Sequence, residues 1–327
     1  MATFEHFYKT LRSDDKVKWK DFEKFVKWYL KTDPRWMSLV KEIWLWDEHP
    51  KREEWGPDNG IDLVFEHING EVWAVQAKCF APQNSIRKEH MDSFIAESSD
   101  SRFQKRLLVT STNNIGPNVD RLLKRHKVVR ILLDDLLNSD LDFPDSPTDY
   151  RNAKRKDPPT PLPHQEKAIS EVLNRLKTSN KGQVLMACGT GKTLTSLWIK
   201  ERLNSENTLV LLPSLSLLSQ TLKEWHKAAK EPFKWICVCS DNSVAKGDNT
   251  NDDWIANTSE IGVPVTSSTD EIKKFLSEKG SKIIFSTYQS SPLIVDVQNA
   301  DVIHAASAHD VRGNVIFRRA SHIPRAR

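Results

Sequence analysis

The chain has 327 residues, 38% of them hydrophobic and 28% charged, which excludes a disordered chain and allows about two folded domains. The 48 lysines and arginines nearly balance the 44 aspartates and glutamates, and the net charge is +4. This balance neither requires nor excludes nucleic acid as a partner, because a basic groove can lie within a near-neutral total.

The sequence shows no sign of a membrane or secreted protein. Its longest apolar stretch, residues 208–222, is interrupted by polar residues and is too short for a membrane span. The N-terminus carries charges where a secretory signal has its apolar region. We therefore predict a cytoplasmic protein without a membrane partner. The cysteine spacings do not match a zinc site, and we expect all four to be reduced and mainly structural: Cys79, Cys188, Cys237 and Cys239.

The first predicted element is a helix over residues 19–30. Its apolar residues recur at helical spacing and form one stripe. Glu23 lies four residues after Trp19 and three before Val26, so its carboxylate should lie on or beside this stripe. A buried carboxylate is unfavourable unless it is paired or binds a metal, and Glu23 should therefore have a partner. The predicted stripe consists of Trp19, Phe22, Val26, Tyr29 and Leu30.

A predicted β-hairpin follows, and its register decides where Asp62 points. Gln76 and Lys78 share one face of the second strand because side chains alternate. A two-residue turn at Asn69-Gly70 would place Asp62 opposite the alanine between them, on the other face. A three-residue loop, 68–70 with Gly70 left-handed, places Asp62 opposite Gln76. We predict the second register, or a bulge with the same effect.

In this register a carboxylate, an amide oxygen and a lysine converge, with Glu23 expected nearby. Such an oxygen-lined pocket suits Mg²⁺, and metal and lysine together can activate a water for attack on a phosphodiester. Spacing alone leaves open a plainer interpretation, in which Asp62 and Lys78 are exposed residues of an ordinary hairpin.

These segments together resemble the Mrr-like branch of the PD-(D/E)xK nucleases. The resemblance rests on Phe22-Glu23 in a helix, on Gly60-Ile61-Asp62-Leu63 and on Gln76-Ala77-Lys78, since glutamine often replaces the second acidic residue in that branch. The later run KRLLVTSTNNIGPNVDRLLK is also similar. The resemblance implies a restriction-endonuclease-like αβ domain acting on double-stranded DNA. It also implies that Asp62, Gln76 and Glu23 hold or position Mg²⁺ while Lys78 assists the water.

Seven of the eleven tryptophans precede residue 74. Aromatic rings can stack on unpaired bases, but Trp44 and Trp46 alternate like strand residues and Trp19 belongs to the predicted stripe. We expect most of these rings to pack in the core. Trp55, beside Gly56 in a loop, is the candidate for DNA contact.

Residues 140–163 contain six prolines and predict an extended, semi-rigid connector. A basic cluster within it is either solvated or in contact with phosphates: Arg151, Lys154, Arg155 and Lys156. We accordingly predict a nuclease domain over 1–143, a linker over 144–160, a second domain over 161–300 and a divergent tail over 301–327.

The second domain contains a predicted phosphate loop. Residues 183–186 read as a short strand, followed by ACGTGKT at 187–193 and a helical run. In such a loop Gly189, Thr190 and Gly191 bring backbone N–H groups to the phosphates of ATP. Lys192 reaches the β and γ phosphates and Thr193 offers its hydroxyl to Mg²⁺. Met186 stands where the strict GxxxxGK[ST] pattern has its first glycine, so the match is to the helicase variant.

The surrounding segments resemble the first, RecA-like lobe of superfamily 2 helicases, a P-loop parallel-sheet fold. LPHQEKAI contains Gln165, which the resemblance assigns to adenine recognition. Residues 209–225 resemble motif Ia and 283–290 a later DNA-contacting segment. Apolar strands that end in Ser or Thr are common in any α/β fold, so the inference rests on the ordered set. Four residues would lie near the nucleic-acid backbone: Pro213, Ser214, Thr287 and Gln289.

One departure concerns hydrolysis. The family needs a D-E-x-H segment, with Asp for Mg²⁺ and Glu for the water. At the corresponding place Ala306 and Ser307 replace both carboxylates, and neither Asp301 nor Asp310 has the right offset. We therefore expect negligible ATPase activity. No further motor motif follows, so we expect a truncated or rearranged copy of a longer enzyme.

Together the two halves resemble the N-terminal part of a type ISP or type I-like single-chain restriction enzyme. The resemblance implies methyltransferase and target-recognition domains as partners within a longer protein. The leading hypothesis is a Mg²⁺-dependent DNA endonuclease with a hydrolysis-deficient, ATP-binding lobe. Two alternatives stay open: a non-catalytic module that binds DNA and nucleotide, and a DNA repair helicase with an accessory nuclease-like domain.

Overall fold

A computed structural model divides the chain into two compact units, Met1–Asp157 and Pro158–Arg327, and each is described by itself. The structure describes residues 2–12, 14–57, 60–150, 157–179, 181–239, 261–295 and 297, and the backbone of 305–309 and 315–318.

The first unit is a mixed five-stranded sheet with helices on both faces. The sheet order is β1-β2-β3-β4-β5, with β1, β2 and β3 antiparallel and β3, β4 and β5 parallel. Its helices are α1 (Phe4–Thr10), α2 (Asp15–Thr32), α3 (Pro34–Met37), α4 (Arg52–Trp55), α5 (Asp92–Glu97), α6 (Pro117–Arg125) and α7 (Leu133–Leu137). Its strands are β1 (Val40–Leu45), β2 (Leu63–His67), β3 (Val72–Lys78), β4 (Lys105–Thr110) and β5 (Val129–Ile131).

Helix α2 begins at the N-cap Asp14, whose side chain accepts a hydrogen bond from the N–H of Val17, and it packs against β1 and β3. The prediction that Trp19 belongs to its buried stripe is wrong, because 53% of Trp19 is exposed. The other four predicted residues of the stripe are fully buried, and so is Phe25, which was not predicted. Since Phe25 is part of the buried face, the centre of that face turns away from Trp19.

The hairpin between β2 and β3 has the predicted register. Leu63 pairs with Val75 and Glu66 with Val72, which leaves residues 68–70 as the loop and places Asp62 opposite Gln76. Gly70 has φ +90°, a backbone conformation that glycine adopts without steric penalty. The prediction of a three-residue loop with a left-handed glycine is confirmed.

The two faces of the first sheet pack against different helices. On one face Ala74 of β3 belongs to a hydrophobic cluster with Phe94 of α5 and Leu123 of α6. On the other face Phe65 and Trp73 contact the ring of Trp36 in α3, at centroid distances of 6.3 and 6.1 Å. Gln76 and Lys78 project from the first of these faces, since they alternate with Val75 and Ala77.

Part of the predicted linker packs against the first unit. The Tyr150 ring lies 6.2 Å from that of Trp28, and its hydroxyl donates a hydrogen bond of 3.2 Å to the carbonyl of Asp21. The chain therefore stays attached to this unit as far as Tyr150. The basic cluster at 151–156 lies outside the described residues.

The second unit is a six-stranded sheet of order β6-β11-β10-β7-β9-β8. It is parallel except for β11, which runs antiparallel to β10 and β6. Its strands are β6 (Lys181–Val184), β7 (Asn207–Leu212), β8 (Lys234–Val238), β9 (Lys282–Thr287), β10 (Ala305–His309) and β11 (Val315–Arg318). Its helices are α8 (Pro163–Arg175), α9 (Lys192–Leu203), α10 (Leu215–Ala228), α11 (Thr269–Ser277) and α12 (Ser291–Val295).

Two features of the second unit differ from the expectations. The strand before the phosphate loop is β6 and ends at Val184, two residues earlier than predicted. The predicted tail contributes β10 and β11 to the sheet. Within the described parts of both units, no helix combines the length and apolar character that a membrane crossing requires.

Candidate functional site

Asp62 lies immediately before β2, and its carboxylate is held against β3. The side-chain amide of Gln76 donates a hydrogen bond to Asp62 Oδ2, and the N–H of Ala77 donates another to the same oxygen at 2.6 Å. The N–H of Asp62 itself donates to the carbonyl of Val75 at 3.1 Å. The hairpin therefore fixes both the backbone and the side chain of Asp62.

Gln76 and Lys78 lie on the same face of β3, with different exposure. Gln76 is 1% exposed, whereas Lys78 is half-buried. The Lys78 ammonium forms no hydrogen bond or ion pair with any residue that the structure describes. It is therefore available to an anionic ligand beside Asp62.

Thr110 adds a polar group next to Lys78 that the sequence analysis missed. The two residues pair across the parallel strands β3 and β4 and so lie on one face of the sheet. The Thr110 hydroxyl is buried without a hydrogen-bond partner, an arrangement that is uncommon in native proteins. The only sequence signal is the threonine that ends the apolar run KRLLVT.

Glu23 occupies a different position from the other three predicted residues. It is half-buried on α2, which packs against β1 and β3. The hydrophobic cluster on the sheet face that carries Gln76 contains residues of α5 and α6 and none of α2. The structure thus brings Asp62, Gln76 and Lys78 to one face and places Glu23 on a helix of the opposite face. A role for Glu23 in metal binding stays a prediction.

The donor set fits a magnesium ion that keeps most of its water. Mg²⁺ sites commonly use one or two carboxylates and several waters, and Asp62 provides one carboxylate. Among the described residues, no group of three or more His, Cys, Asp or Glu side chains could hold a metal. Gln76 would have to rotate its amide to present its oxygen, because its nitrogen now faces Asp62.

Gly60 positions the segment that leads into Asp62. It has φ +121°, and a Cβ on it would lie 2.8 Å from the Cβ of Ser93. No side chain fits there without displacing α5. A glycine is therefore required two residues before the candidate metal ligand.

Trp55 packs inside an aromatic cluster. Its ring stacks on His49 at 4.1 Å, and the Arg102 guanidinium lies 5.2 Å from its centroid. Phe103 and Trp46 contact the same ring at 5.6 and 5.9 Å. These contacts leave little of the ring for a base, so they favour packing over the predicted DNA contact.

In the second unit the phosphate loop connects β6 to α9. Gly189 and Gly191 have φ +76° and +77°, which glycine adopts most readily. The Lys192 ammonium donates hydrogen bonds of 3.0 and 3.3 Å to the carbonyls of Met186 and Ala187. It therefore lies within the loop, where a phosphate would be held. The Thr193 hydroxyl bonds to no described residue and is available to a cation.

Gln165 contacts this loop directly. Its amide nitrogen donates to the carbonyl of Thr190 at 3.0 Å, and its oxygen accepts from the N–H of Leu162 at 2.8 Å. A Cβ on Gly191 would collide with the same amide. Gln165 therefore positions the loop, and its predicted role in adenine recognition stays a prediction.

The other residues predicted near nucleic acid follow β7 and β9. These strands are parallel and pair up to Leu212 and Thr287, so the segments that follow them lie at the same sheet edge as the phosphate loop. Gln289 is exposed, whereas Thr287 is 1% exposed and its hydroxyl donates to that of Ser290. Pro213 and Ser214 lead into α10, and Ser214 caps that helix.

Strand β10 carries Ala306 and Ser307, the two residues that the sequence analysis aligned with the acidic pair. It lies beside β7, with Ala306 paired to Leu209 and Ser307 to Val210. Asp301 and Asp310, the nearest acidic residues, lie outside the described residues.

Two family models match the chain in succession. Residues 31–153 match a restriction endonuclease family of the Mrr type, and residues 159–306 match the family described as type III restriction enzyme, res subunit. The chain is also similar to the solved structure of the ATP-dependent type ISP restriction-modification enzyme LlaBIII bound to DNA. That match has 31% identity and a TM-score of 0.74 and covers 91% of this chain and 19% of LlaBIII.

Curated relatives match shorter parts of the chain. A probable helicase of African swine fever virus, A859L, is 28% identical over 162 residues, which are 49% of this chain and 17% of that protein. UvrABC system protein B of Bifidobacterium longum subsp. infantis is 40% identical over 73 residues, or 22% of this chain and 10% of that protein. The chain thus spans less than a fifth of the length of either protein.

The two family matches and the LlaBIII match agree on one architecture. The chain contains a restriction endonuclease domain followed by a helicase domain of the type III res-subunit family, the combination found in nuclease–helicase restriction enzymes.

Proposed function

We propose that the chain is a Mg²⁺-dependent endonuclease of double-stranded DNA joined to an ATP-binding helicase lobe, acting in the cytoplasm. The observation that supports this most directly is the hydrogen-bonded pair Asp62 and Gln76 with Lys78 on the same sheet face. The similarity to LlaBIII, which was solved bound to DNA, supports DNA as the substrate.

Each residue of the site has a distinct part in phosphodiester hydrolysis. Asp62 and the Gln76 amide oxygen would hold Mg²⁺. The bound ion would supply positive charge to a phosphate oxygen and an activated water. Lys78 would donate hydrogen bonds to the phosphate or to the attacking water, and so offset the charge that builds up in the transition state.

A plasmid-nicking assay tests this function. The full chain with Mg²⁺ or Mn²⁺ should nick supercoiled DNA, and Lys78→Ala should slow nicking by roughly 100-fold or more, as losses of single charge-stabilising groups do. Lys88→Ala, which removes an exposed lysine of the same unit, should leave the rate unchanged. EDTA should abolish nicking.

A second candidate function is a module that binds DNA and nucleotide but cleaves nothing. It is favoured by the small number of carboxylates at the site, where Asp62 has an amide as its neighbour. If wild type and Lys78→Ala both leave the plasmid intact, this function replaces the endonuclease.

ATP is the proposed ligand of the second unit. Lys192→Ala should abolish binding of a fluorescent ATP analogue, because the ammonium that lies inside the phosphate loop is lost. Lys167→Ala, an exposed lysine of α8, should bind normally. Unchanged affinity in Lys192→Ala would refute the phosphate-loop assignment.

The helicase lobe of this chain should hydrolyse ATP negligibly, even with DNA present. Hydrolysis needs carboxylates that align Mg²⁺ and water, and we assign Ala306 and Ser307 to those positions from the sequence. A phosphate-release assay with and without duplex DNA tests this. Robust turnover would require acidic groups elsewhere.

The chain covers 19% of LlaBIII, which supports a role within a larger restriction assembly. Methyltransferase and target-recognition domains are the proposed partners. Measuring nicking of methylated and unmethylated plasmid, with and without such domains supplied, tests this arrangement.

A further inference from the structure

Helix α2 carries six lysines within Asp15–Thr32, and five of them lie on its solvent-facing side. Lys18 is the sixth and contacts the Tyr8 ring. The five others fall within an arc of roughly 80° at about 3.6 residues per turn. We call this surface the α2 lysine face: Lys16, Lys20, Lys24, Lys27 and Lys31.

The spacing of these lysines places like charges one helical turn apart. Lys16, Lys20 and Lys24 follow one another at intervals of four, as do Lys27 and Lys31. Like charges four residues apart destabilise a helix by about 0.2–0.5 kcal/mol per pair. A bound partner of opposite charge would offset this repulsion.

Few carboxylates neutralise the α2 lysine face. Lys27 pairs with Glu48, whose carboxylate also attracts Lys24 at longer range. Lys16, Lys20, Lys24 and Lys31 form no ion pair with any residue that the structure describes. These four side chains are exposed. Their charges are therefore available to an anionic partner.

An exposed tryptophan borders the same surface. Trp19 is 53% exposed and is the only aromatic ring among the large exposed hydrophobic side chains of the described residues. A single ring beside a row of cations can pack against a sugar edge. Single-strand binding instead relies on several rings that stack successive bases.

We infer that the α2 lysine face binds backbone phosphates of duplex DNA, which deepens and rests on the proposed DNA substrate. From Lys16 to Lys31 the helix extends about 22 Å at about 1.5 Å per residue. That length matches six or seven base pairs at about 3.4 Å each. Phosphate contacts of this kind give affinity and orientation without reading sequence.

The salt dependence of DNA binding tests this surface. Each phosphate contact adds about 0.9 to the slope of log K against log salt concentration. We expect the full chain with Lys16→Gln, Lys20→Gln and Lys24→Gln to show a slope smaller by about 2–3 than wild type. Binding is measured by fluorescence anisotropy of a labelled duplex in EDTA, so that no cleavage contributes.

Two control variants separate this surface from net charge alone. The triple Lys→Arg variant at residues 16, 20 and 24 keeps the charges and should keep the wild-type slope. Replacing Lys51, Lys88 and Arg125, exposed cations elsewhere in the first unit, by Gln should change the slope by less than one. An equal reduction of the salt slope in both Gln variants would overturn the proposal.

The outcomes also distinguish this surface from the endonuclease itself. A reduced slope in a protein that does not nick DNA would support the surface and refute the endonuclease. Normal nicking by the wild-type protein, with an unchanged slope in the Lys→Gln variant, would support the endonuclease and refute the surface. A Trp19→Ala variant should weaken duplex binding without changing the slope, and an altered slope would contradict the role assigned to the lysines.

Discussion

Gln76 donates a hydrogen bond from its side-chain amide to the carboxylate of Asp62, although the two residues are 14 positions apart in the chain. The amide satisfies one carboxylate oxygen without adding charge. Two carboxylates in the same place would repel each other unless a cation lay between them. The pair is therefore suited to a stable protein in the absence of metal, and a cation has to compete with the amide.

Gln76→Glu should make the stability of the first unit depend on Mg²⁺. Without metal, the new carboxylate loses the hydrogen bond and faces Asp62, which should lower the free energy of unfolding by about 1–3 kcal/mol. Mg²⁺ should restore most of this loss, as measured by thermal unfolding in EDTA and in excess MgCl₂. Gln83→Glu makes the same charge change at an exposed position and should show no such dependence. Equal unfolding of Gln76→Glu in both buffers would exclude a cation at this pair.

The hairpin could be predicted from the sequence because its determinants are local. Strand alternation fixes which residues share a face, and Gly70 allows the φ of +90° that the three-residue loop needs. These two facts suffice to place Asp62 opposite Gln76. The turn conformation of the proposed phosphate loop could be predicted for the same reason, since its glycines and Lys192 lie close together in the sequence.

Features that depend on packing between distant segments could not be predicted. Trp19 has helical spacing from Phe22 and Val26, yet it is exposed because Phe25 shares in setting the buried face. Nor does periodicity show on which sheet face a helix packs. The position of Glu23 relative to Asp62 was therefore known only from the three-dimensional structure. The partnerless hydroxyl of Thr110 likewise appears only when all its neighbours are known.

Gly60→Ala should destabilise the first unit more than Gly56→Ala. Both glycines have positive φ, but only Gly60 also faces a close neighbour, Ser93. The strained backbone and the steric overlap should together lower the free energy of unfolding by about 2–4 kcal/mol in Gly60→Ala. Strain alone should account for about 1–3 kcal/mol in Gly56→Ala. Urea unfolding of both variants measures the difference, and equal losses would show that contact with α5 does not restrict this position.

Thr110→Val should leave the protein as stable as wild type or make it more stable. The buried hydroxyl of Thr110 has no partner, so removing it relieves a desolvation penalty of about 1–3 kcal/mol. Thr112→Val is the matched control, because the Thr112 hydroxyl is also buried but contacts the carbonyls of Pro82 and Asn84 at 2.9 and 2.8 Å. The free energy of unfolding of Thr112→Val should fall by about 1–2 kcal/mol. A marked loss of stability in Thr110→Val, measured by urea unfolding, would mean that the hydroxyl has a partner such as a bound water.

Cys188 should be the one thiol that reacts with Ellman's reagent in the folded protein near pH 8. All four cysteines are free, as expected, but Cys188 is exposed in the phosphate loop while Cys79, Cys237 and Cys239 are buried. Burial raises the pKa of the Cys79 thiol to about 11 and that of Cys239 to about 12. Thiolate is the reactive form, so raising the pH from 7 to 9 should recruit none of the three buried thiols.

The same reaction reports on nucleotide binding, because Cys188 lies one residue before Gly189 of the phosphate loop. Saturating ATP with Mg²⁺ should slow the labelling of Cys188 by excluding the reagent from the loop, and the Lys192→Ala variant should lose this protection. Cys188→Ser should abolish the fast reaction altogether, and the remaining thiols should react only in denaturant. Rapid labelling that ATP does not slow in the wild-type protein would place the nucleotide, if it binds, away from this loop.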